Sequence, residues 1–137
     1  MRKILPTLVA IVLVALSLSS CATAADRAGN TPDDENPVVL VPDSAPSALR
    51  EAEVDGVVEL RDGCFVLAST AGNWLIEWPY GTILGADAVS VENDQFGTIE
   101  VGDTIRGGGG YGTNVEGCDV DGVEGTVSVD QIAETNG

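Results

Sequence analysis

The sequence predicts a small all-β domain, either a barrel or a sandwich of five to six short strands, and suggests an OB-like topology. Short β-branched and apolar runs recur at roughly even spacing after the first 50 residues. Glycine, proline, asparagine and aspartate separate these runs, and no convincing helical period accompanies them. Several short strands with turn residues between them are typical of small barrels and sandwiches.

The strand predictions follow the chain from one turn to the next. Gly63 separates the first two runs, residues 71–73 separate the second from the third, and the turn at 93–95 predicts a hairpin. The predicted strands are residues 54–60, 64–68, 74–78, 88–92, 98–101, 104–107 and 125–129. We therefore expect one β domain over residues 53–132 and a short tail at 133–137.

Residues 1–20 have the three parts of a signal peptide: a basic start, an apolar middle and small residues before a cleavage point. The apolar middle, residues 4–18, has 15 residues, whereas a helix that spans a membrane needs about 20. The segment is thus predicted to direct export and not to remain as a membrane span.

The sequence Leu18-Ser19-Ser20-Cys21 resembles the lipobox of bacterial lipoproteins. The resemblance implies cleavage before Cys21, a diacylglycerol thioether on its sulfur, and often a further acyl chain such as palmitate. Two or more acyl chains give a stable anchor. We expect an exported protein held by its lipid on the outer face of the cytoplasmic membrane. The alternative is an ordinary cleaved signal followed by a coincidental cysteine.

Cleavage before Cys21 leaves a strongly acidic chain. All 22 acidic residues lie after the cleavage point, and four arginines remain with them, so the formal net charge is −18. Such a surface repels phosphate backbones, which excludes nucleic acid as a partner. Cations, basic envelope proteins and uncharged glycans remain compatible partners.

The residue types that carry most enzyme chemistry are missing. The chain has no histidine, and its single lysine, Lys3, leaves with the signal. Ser-His, Cys-His and Ser-Lys pairs are therefore excluded, as is Schiff-base chemistry. Carboxylate pairs alone remain, and no motif singles one out, so we predict that the protein is not an enzyme and takes no cofactor.

Two cysteines, Cys64 and Cys118, remain once Cys21 is assigned to the anchor. In an exported protein, two cysteines most simply form one disulfide bond. The alternative is a pair of buried, unpaired thiols.

Residues 21–52 are rich in Ala, Asp, Pro, Ser and Thr, which predicts a lipidated, disordered, acidic tether. One apolar patch, residues 38–41, interrupts this composition between two prolines. We expect it to lie on the domain as an extended edge strand; the alternative is a docking motif for a partner protein.

Consecutive glycines at 107–110 precede Tyr111 and Gly112. A phosphate-binding loop would need Gly-Lys-Ser/Thr and a following helix, which are absent from this sequence. Glycines in a β domain more often mark a bulge, a corner or a close approach of another strand, and we favour that interpretation. The alternative is a ligand surface that includes Tyr111.

Trp74, Ile76 and Trp78 alternate along one predicted strand and should share a face. We expect this face to belong to the core, because the domain has few other aromatic residues. Alternatively, Trp74 and Trp78 form a sugar-stacking platform together with Tyr111.

Four acidic residues surround Cys118: Glu116, Asp119, Asp121 and Glu124. A solvated acidic loop is the expected interpretation, since the full calcium-loop pattern is absent. An oxygen-ligand Ca²⁺ site is the alternative.

Three segments complete a second resemblance: Trp78-Pro79-Tyr80-Gly81-Thr82, Val101-Gly102-Asp103 and Gly107-Gly108-Gly109-Gly110-Tyr111. They resemble a loose group of uncharacterised small exported lipoproteins of high-GC Gram-positive bacteria. The resemblance covers roughly residues 56–128 and implies an envelope location without any chemistry. The expected function is therefore a lipid-anchored, non-catalytic binding or interaction module, with a carbohydrate or small-molecule binder and a Ca²⁺-stabilised domain as alternatives.

Overall fold

The computed structural model describes residues 36–137, and this part of the chain consists of β-strands, turns and loops without a helix. The all-β class predicted from the sequence is therefore confirmed. The predicted signal peptide and Cys21 lie outside the described residues. The strands are β1 (Ala52–Arg61), β2 (Cys64–Ser69), β3 (Gly72–Glu77), β4 (Ile83–Leu84), β5 (Ser90–Asn93), β6 (Gly97–Glu100), β7 (Thr104–Gly112) and β8 (Gly125–Asn136).

Five of these strands form a closed barrel in the order β1-β2-β3-β8-β7. Neighbouring strands run antiparallel except β3 and β8, which are parallel. Numbered along the chain, the barrel strands follow one another in the order one-two-three-five-four. This is the order of an OB-like Greek-key barrel, as the sequence suggested.

The first hairpin shows how local sequence sets the register. Arg61 pairs with Cys64, so only Asp62 and Gly63 form the turn between β1 and β2. Both turn residues have positive φ, 49° and 74°. An Asp-Gly pair suits a two-residue turn of this kind, because its twist matches that of the flanking strands.

The other three strands form an antiparallel sheet, β4-β5-β6, inserted between β3 and β7. The hairpin predicted around residues 93–95 joins β5 to β6. Val91 and Ile99 from this sheet are fully buried in the same core as Phe65 and Trp78 of the barrel. The insert therefore closes the barrel at the end where β3 finishes.

The alternation predicted for β3 is confirmed. Trp74, Ile76 and Trp78 all pack on the interior core. Leu75, which faces the outside, is also buried, because it belongs to a second apolar cluster on the outer surface of β2 and β3. One strand thus contributes to two cores.

The glycine run is strand, and β7 extends through it to Gly112 instead of ending near residue 107. The pairing of β7 with β8 shifts at Arg106/Gly107 and again at Gly108/Gly109. A Cβ on Gly107 or Gly109 would collide with a backbone carbonyl of β8. The glycines therefore permit two β-bulges, and the structural interpretation of the run is confirmed.

Residues 36–51 lie on the barrel and do not continue the tether predicted for 21–52. Val38 and Leu40 form isolated bridges with Cys64 and Glu77. The register of β2 and β3 would otherwise bring Cys64 opposite Glu77. The N-terminal segment therefore fills the gap where the two strands separate, which agrees with the expected edge strand at 38–41.

The carboxyl end also differs from the prediction. β8 runs to Asn136, and Thr104 pairs with that residue. The predicted tail at 133–137 is therefore almost entirely strand. The polar composition of residues 133–137 did not indicate a strand, because this end of β8 is largely exposed to solvent.

Candidate functional site

Two segments without regular strand structure cover parts of the outer barrel surface. We call residues 38–50 the strap and residues 113–124, which join β7 to β8, the lid loop. Their contacts decide which faces of the barrel are open to a ligand.

The lid loop closes the outer face of β2 and β3. Val120 from the loop and Leu40 from the strap pack on Val66 and Leu75. The Asn73 side-chain amide donates to the Gly122 carbonyl at 3.4 Å, and the backbone of residue 124 donates to the Asn73 carbonyl. OB-type barrels commonly bind ligands on this face, so this chain occupies a typical ligand surface with its own residues.

A disulfide bond between Cys64 and Cys118 holds the lid loop in place, as predicted from the cysteine count. Cys64 is fully buried at the start of β2, and its Cα lies 6.0 Å from that of Cys118. The bond ties the middle of the loop to the barrel wall. It joins two residues that are 54 positions apart.

Besides the packing of Leu40, the strap is held by two backbone hydrogen bonds at one end and an ion pair at the other. The amide of Val38 donates to the Gly63 carbonyl, and the amide of Trp78 donates to the Leu40 carbonyl, both at 2.8 Å. At the far end, the Arg50 guanidinium donates to both carboxylate oxygens of Asp130, at 2.6 and 3.0 Å.

The Arg50–Asp130 pair is asymmetric in exposure. The side chain of Asp130 is 3% exposed and that of Arg50 is 48% exposed. The Arg50 amide also donates to Asp130, at 2.6 Å. The guanidinium hydrogen bonds lower the pKa of Asp130, so its carboxylate stays ionised although it is buried. A β8 residue that has no partner on β7 thereby fixes the end of the strap.

A polar cleft of about 370 Å³ lies between the strap and the lid loop, over the outer face of β3, β8 and β7. Gly110 and Gly112 leave Tyr111 as the one side chain that β7 contributes to the cleft, and a Cβ on Gly112 would meet only one carbonyl oxygen, at 3.9 Å. Hydrogen-bonding side chains make up most of the remaining lining: Arg50, Glu77, Asn114, Glu116, Thr126 and Ser128.

A second cleft of about 370 Å³ lies on the other side of Arg50, between the strap and the end of β3. Three prolines, at 42, 46 and 79, line it together with Leu49 and Tyr80. Leu49 is 54% exposed and Tyr80 is 50% exposed. We call this the apolar cleft. Arg50 and Glu77 line both clefts and therefore separate them.

The predicted aromatic site residues do not form one platform. Trp78 is fully buried between Phe65 and Phe96, so its expected core position is confirmed and the alternative that it stacks on a ligand is wrong. Trp74 is partly buried at the other end of β3, and its ring lies 4.8 Å from that of Tyr111, edge to face. A strand rises about 3.3 Å per residue, so four residues place the two indoles at opposite ends of the core.

Tyr111 is the exposed member of the aromatic pair. Its ring is backed by Trp74, its residue is 42% exposed, and it also contributes to the lining of the polar cleft. The hydroxyl donates to the Glu53 carbonyl at 3.1 Å. Partial burial, followed by the charges of Asp55 and Glu53, raises the pKa of Tyr111, so the phenol is neutral at physiological pH.

The four acidic residues near Cys118 are all exposed and do not converge. Within residues 36–137, no three acidic or cysteine side chains come close enough together to hold a metal ion. Glu116 lines the polar cleft, whereas Glu124 lies beside Gly72. The exposure of these residues agrees with the expected solvated loop, and the alternative of a shared Ca²⁺ site at Glu116, Asp119, Asp121 and Glu124 is wrong.

Comparison with known proteins identifies no relative: no family model matches the chain, and neither a curated protein nor a solved structure is significantly similar to it. The part of the chain that the structure describes contains no helix suited to crossing a membrane.

Arg50, Asp130 and Glu77 are the charged cleft residues that the sequence did not reveal. Arg50 is one of only four arginines after residue 20, and this scarcity is the one sequence signal that could have drawn attention to it. Asp130 and Glu77 are single acidic residues among many, and only the fold brings them next to Arg50.

Proposed function

We propose that the chain is a lipid-anchored protein of the cell envelope whose barrel is a non-catalytic binding module, with the polar cleft as its ligand surface. The lipobox resemblance at residues 18–21 supports the anchor. The Cys64–Cys118 bond supports export, because disulfides persist in oxidising compartments. The expected attachment is to the outer face of the cytoplasmic membrane.

The polar cleft is the observation that carries the binding role. The lid loop covers the face of β2 and β3 that OB-like barrels commonly use. The outer face of β3, β8 and β7 stays open, and its cleft is within the size range of small ligand sites. Glu77 and Ser128 line it and make no side-chain hydrogen bond within residues 36–137, so both are available to a ligand.

Site-specific photo-crosslinking in the native membrane tests this role. A photoreactive residue at Asn114, an exposed part of the cleft lining, should capture a defined envelope partner or glycan. The same residue at Thr98, exposed on β6, is the matched control. Identical products from both positions, or none from Asn114, would contradict the proposal.

Carbohydrate binding is the second candidate, and the Trp74–Tyr111 pair favours it. An exposed aromatic ring beside hydroxyl, amide and carboxylate groups can stack on a sugar and bond its hydroxyls. Because Trp74 contacts Tyr111, a glycan on the tyrosine should change the emission of Trp74, whereas Trp78 stays buried. Tyr111→Ala should abolish this change and Tyr80→Ala should keep it. A glycan response that survives Tyr111→Ala would exclude this site.

A further inference from the structure

The apolar cleft and the start of the described chain lie on the same side of the barrel. The strap forms one wall of the cleft, and residues 36–38 lead directly into it. Leu49 and Tyr80 are each at least 50% exposed there, with Pro42 beside them. Exposed apolar side chains that lie close together mark a candidate interaction surface.

The chemistry of this surface matches the interfacial region of a lipid bilayer. Tyrosine is enriched at membrane–water boundaries, where its ring lies among the headgroups and its hydroxyl stays hydrated. Arg50 and Asp130, which both line the cleft, neutralise each other. Glu77 is the one other charged residue of the lining, and a zwitterionic lipid, which carries no net charge, meets less repulsion there than an anionic lipid.

The length of the chain outside the described residues allows such contact. On the proposed Cys21 anchor, residues 22–37 separate the lipid from Val38. Even fully extended, these sixteen residues span at most about 55 Å. A short tether gives an effective concentration in the millimolar range, so a surface that binds lipid only weakly is still occupied.

We propose that the barrel docks on zwitterionic lipid through the apolar cleft, with Leu49 and Tyr80 in the headgroup region. This inference rests on the proposed lipid anchor. Docking would leave the polar cleft, on the other side of Arg50, directed to ligands in the aqueous phase. Anionic lipid should weaken docking, because the net charge of −18 opposes it.

Depth-dependent quenching tests the docked arrangement. Leu49→Trp and Tyr80→Trp are introduced singly into the full chain, processed by the cell and reconstituted in phosphatidylcholine vesicles with brominated acyl chains. After subtraction of the parent emission, both added indoles should shift to the blue and lose most of their intensity. Val101→Trp, exposed on the turn after β6, is the matched control and should lose little.

Vesicle flotation separates failure of docking from failure of the anchor. If the chain floats with vesicles but the indoles of Leu49→Trp and Tyr80→Trp are quenched no more than that of Val101→Trp, docking is wrong and the anchor stands. If the chain does not float and Cys21→Ala behaves identically, the anchor itself is wrong. If the emission of the indole at position 49 or 80 changes with the number of protein molecules per vesicle at constant lipid, the cleft binds a second copy of the chain. That result would overturn lipid docking.

Discussion

The lid loop and the strap both lie on the outside of the same barrel, but different forces hold them. The lid loop is fixed by a disulfide bond and by buried apolar contacts. The strap shares these apolar contacts through Leu40 and is otherwise fixed by two backbone hydrogen bonds and the Arg50–Asp130 ion pair, without a covalent bond. The β2–β3 face is therefore closed by a covalently fixed loop, whereas the clefts beside the strap are bounded by interactions that water and pH can modify.

Removing the disulfide should reduce the stability of the protein more than any other change to the lid loop or the strap. Cys64→Ala combined with Cys118→Ala should lower the free energy of unfolding by about 4 kcal/mol, because the loop closed by the bond is long. Denaturant unfolding of the oxidised parent and the variant measures the loss. The reduced parent should match the variant, and a loss below about 1 kcal/mol would show that apolar contacts alone hold the lid loop.

Leu75 and Glu77 compare the two faces within one strand. Both side chains point outward from β3, yet Leu75 is 1% exposed under the lid loop and Glu77 lines the open clefts. Leu75→Ala should cost about 3 kcal/mol of unfolding free energy, as expected for a buried leucine. Glu77→Ala should change it by no more than about 0.5 kcal/mol. If both variants lose the same free energy in denaturant unfolding, the covered and the open parts of the outer face do not differ in how tightly they are packed.

The strap should loosen when its ion pair is broken. Arg50→Met should cost about 2 kcal/mol at neutral pH, because it deprives the buried Asp130 carboxylate of two charge-assisted hydrogen bonds. Asp130→Asn should cost less, since the half-exposed Arg50 can be hydrated instead. Denaturant unfolding of both variants measures the order, and a reversed order would contradict this account.

The pH dependence of that loss follows from the lowered pKa of Asp130. A carboxylate with a depressed folded pKa adds stability above its unfolded pKa of about 3.9 and loses it as the pH falls through the folded value. The stability difference between the parent and Arg50→Met should therefore be largest above about pH 4 and shrink on further acidification. A difference that is constant with pH would show that the pair acts by packing alone.

Tyr111→Phe should have the smallest effect. The variant keeps the ring contact with Trp74 and loses one exposed hydrogen bond to the Glu53 carbonyl. A cost of about 0.5 kcal/mol in thermal or denaturant unfolding is expected. A cost above about 2 kcal/mol would indicate that the polar-cleft side is as tightly built as the face under the lid loop.

The strands that could be predicted from the sequence are those whose side chains alternate between apolar and polar. The first three predicted strands lie within one residue or two of β1, β2 and β3, because β-branched and alternating apolar residues mark half-buried strands. The extension of β7 through Gly112 was not predictable in the same way. Glycine has a low strand propensity, and only pairing with both β1 and β8 keeps this run extended.

The two clefts could not be predicted from the sequence for a different reason. The lining of the polar cleft comes from the strap, β3, β7, the lid loop and β8. The composition of residues 42–50 is that of a disordered segment, and its attachment depends on Asp130, 80 positions away. Such an arrangement is set by tertiary packing, which overrides the local composition that predicted a tether.

The order of strands also determines when this protein can fold. The barrel is closed by β8, its last strand, which pairs with β3 on one side and β7 on the other. Trp74 and its β8 partner Gly125 are 51 positions apart, and such non-local pairings form slowly. Until residues 125–136 are present, the edges of β3 and β7 stay unpaired and prone to aggregation. If the chain is exported amino end first, as proposed, the barrel assembles only after residues 125–136 have crossed the membrane.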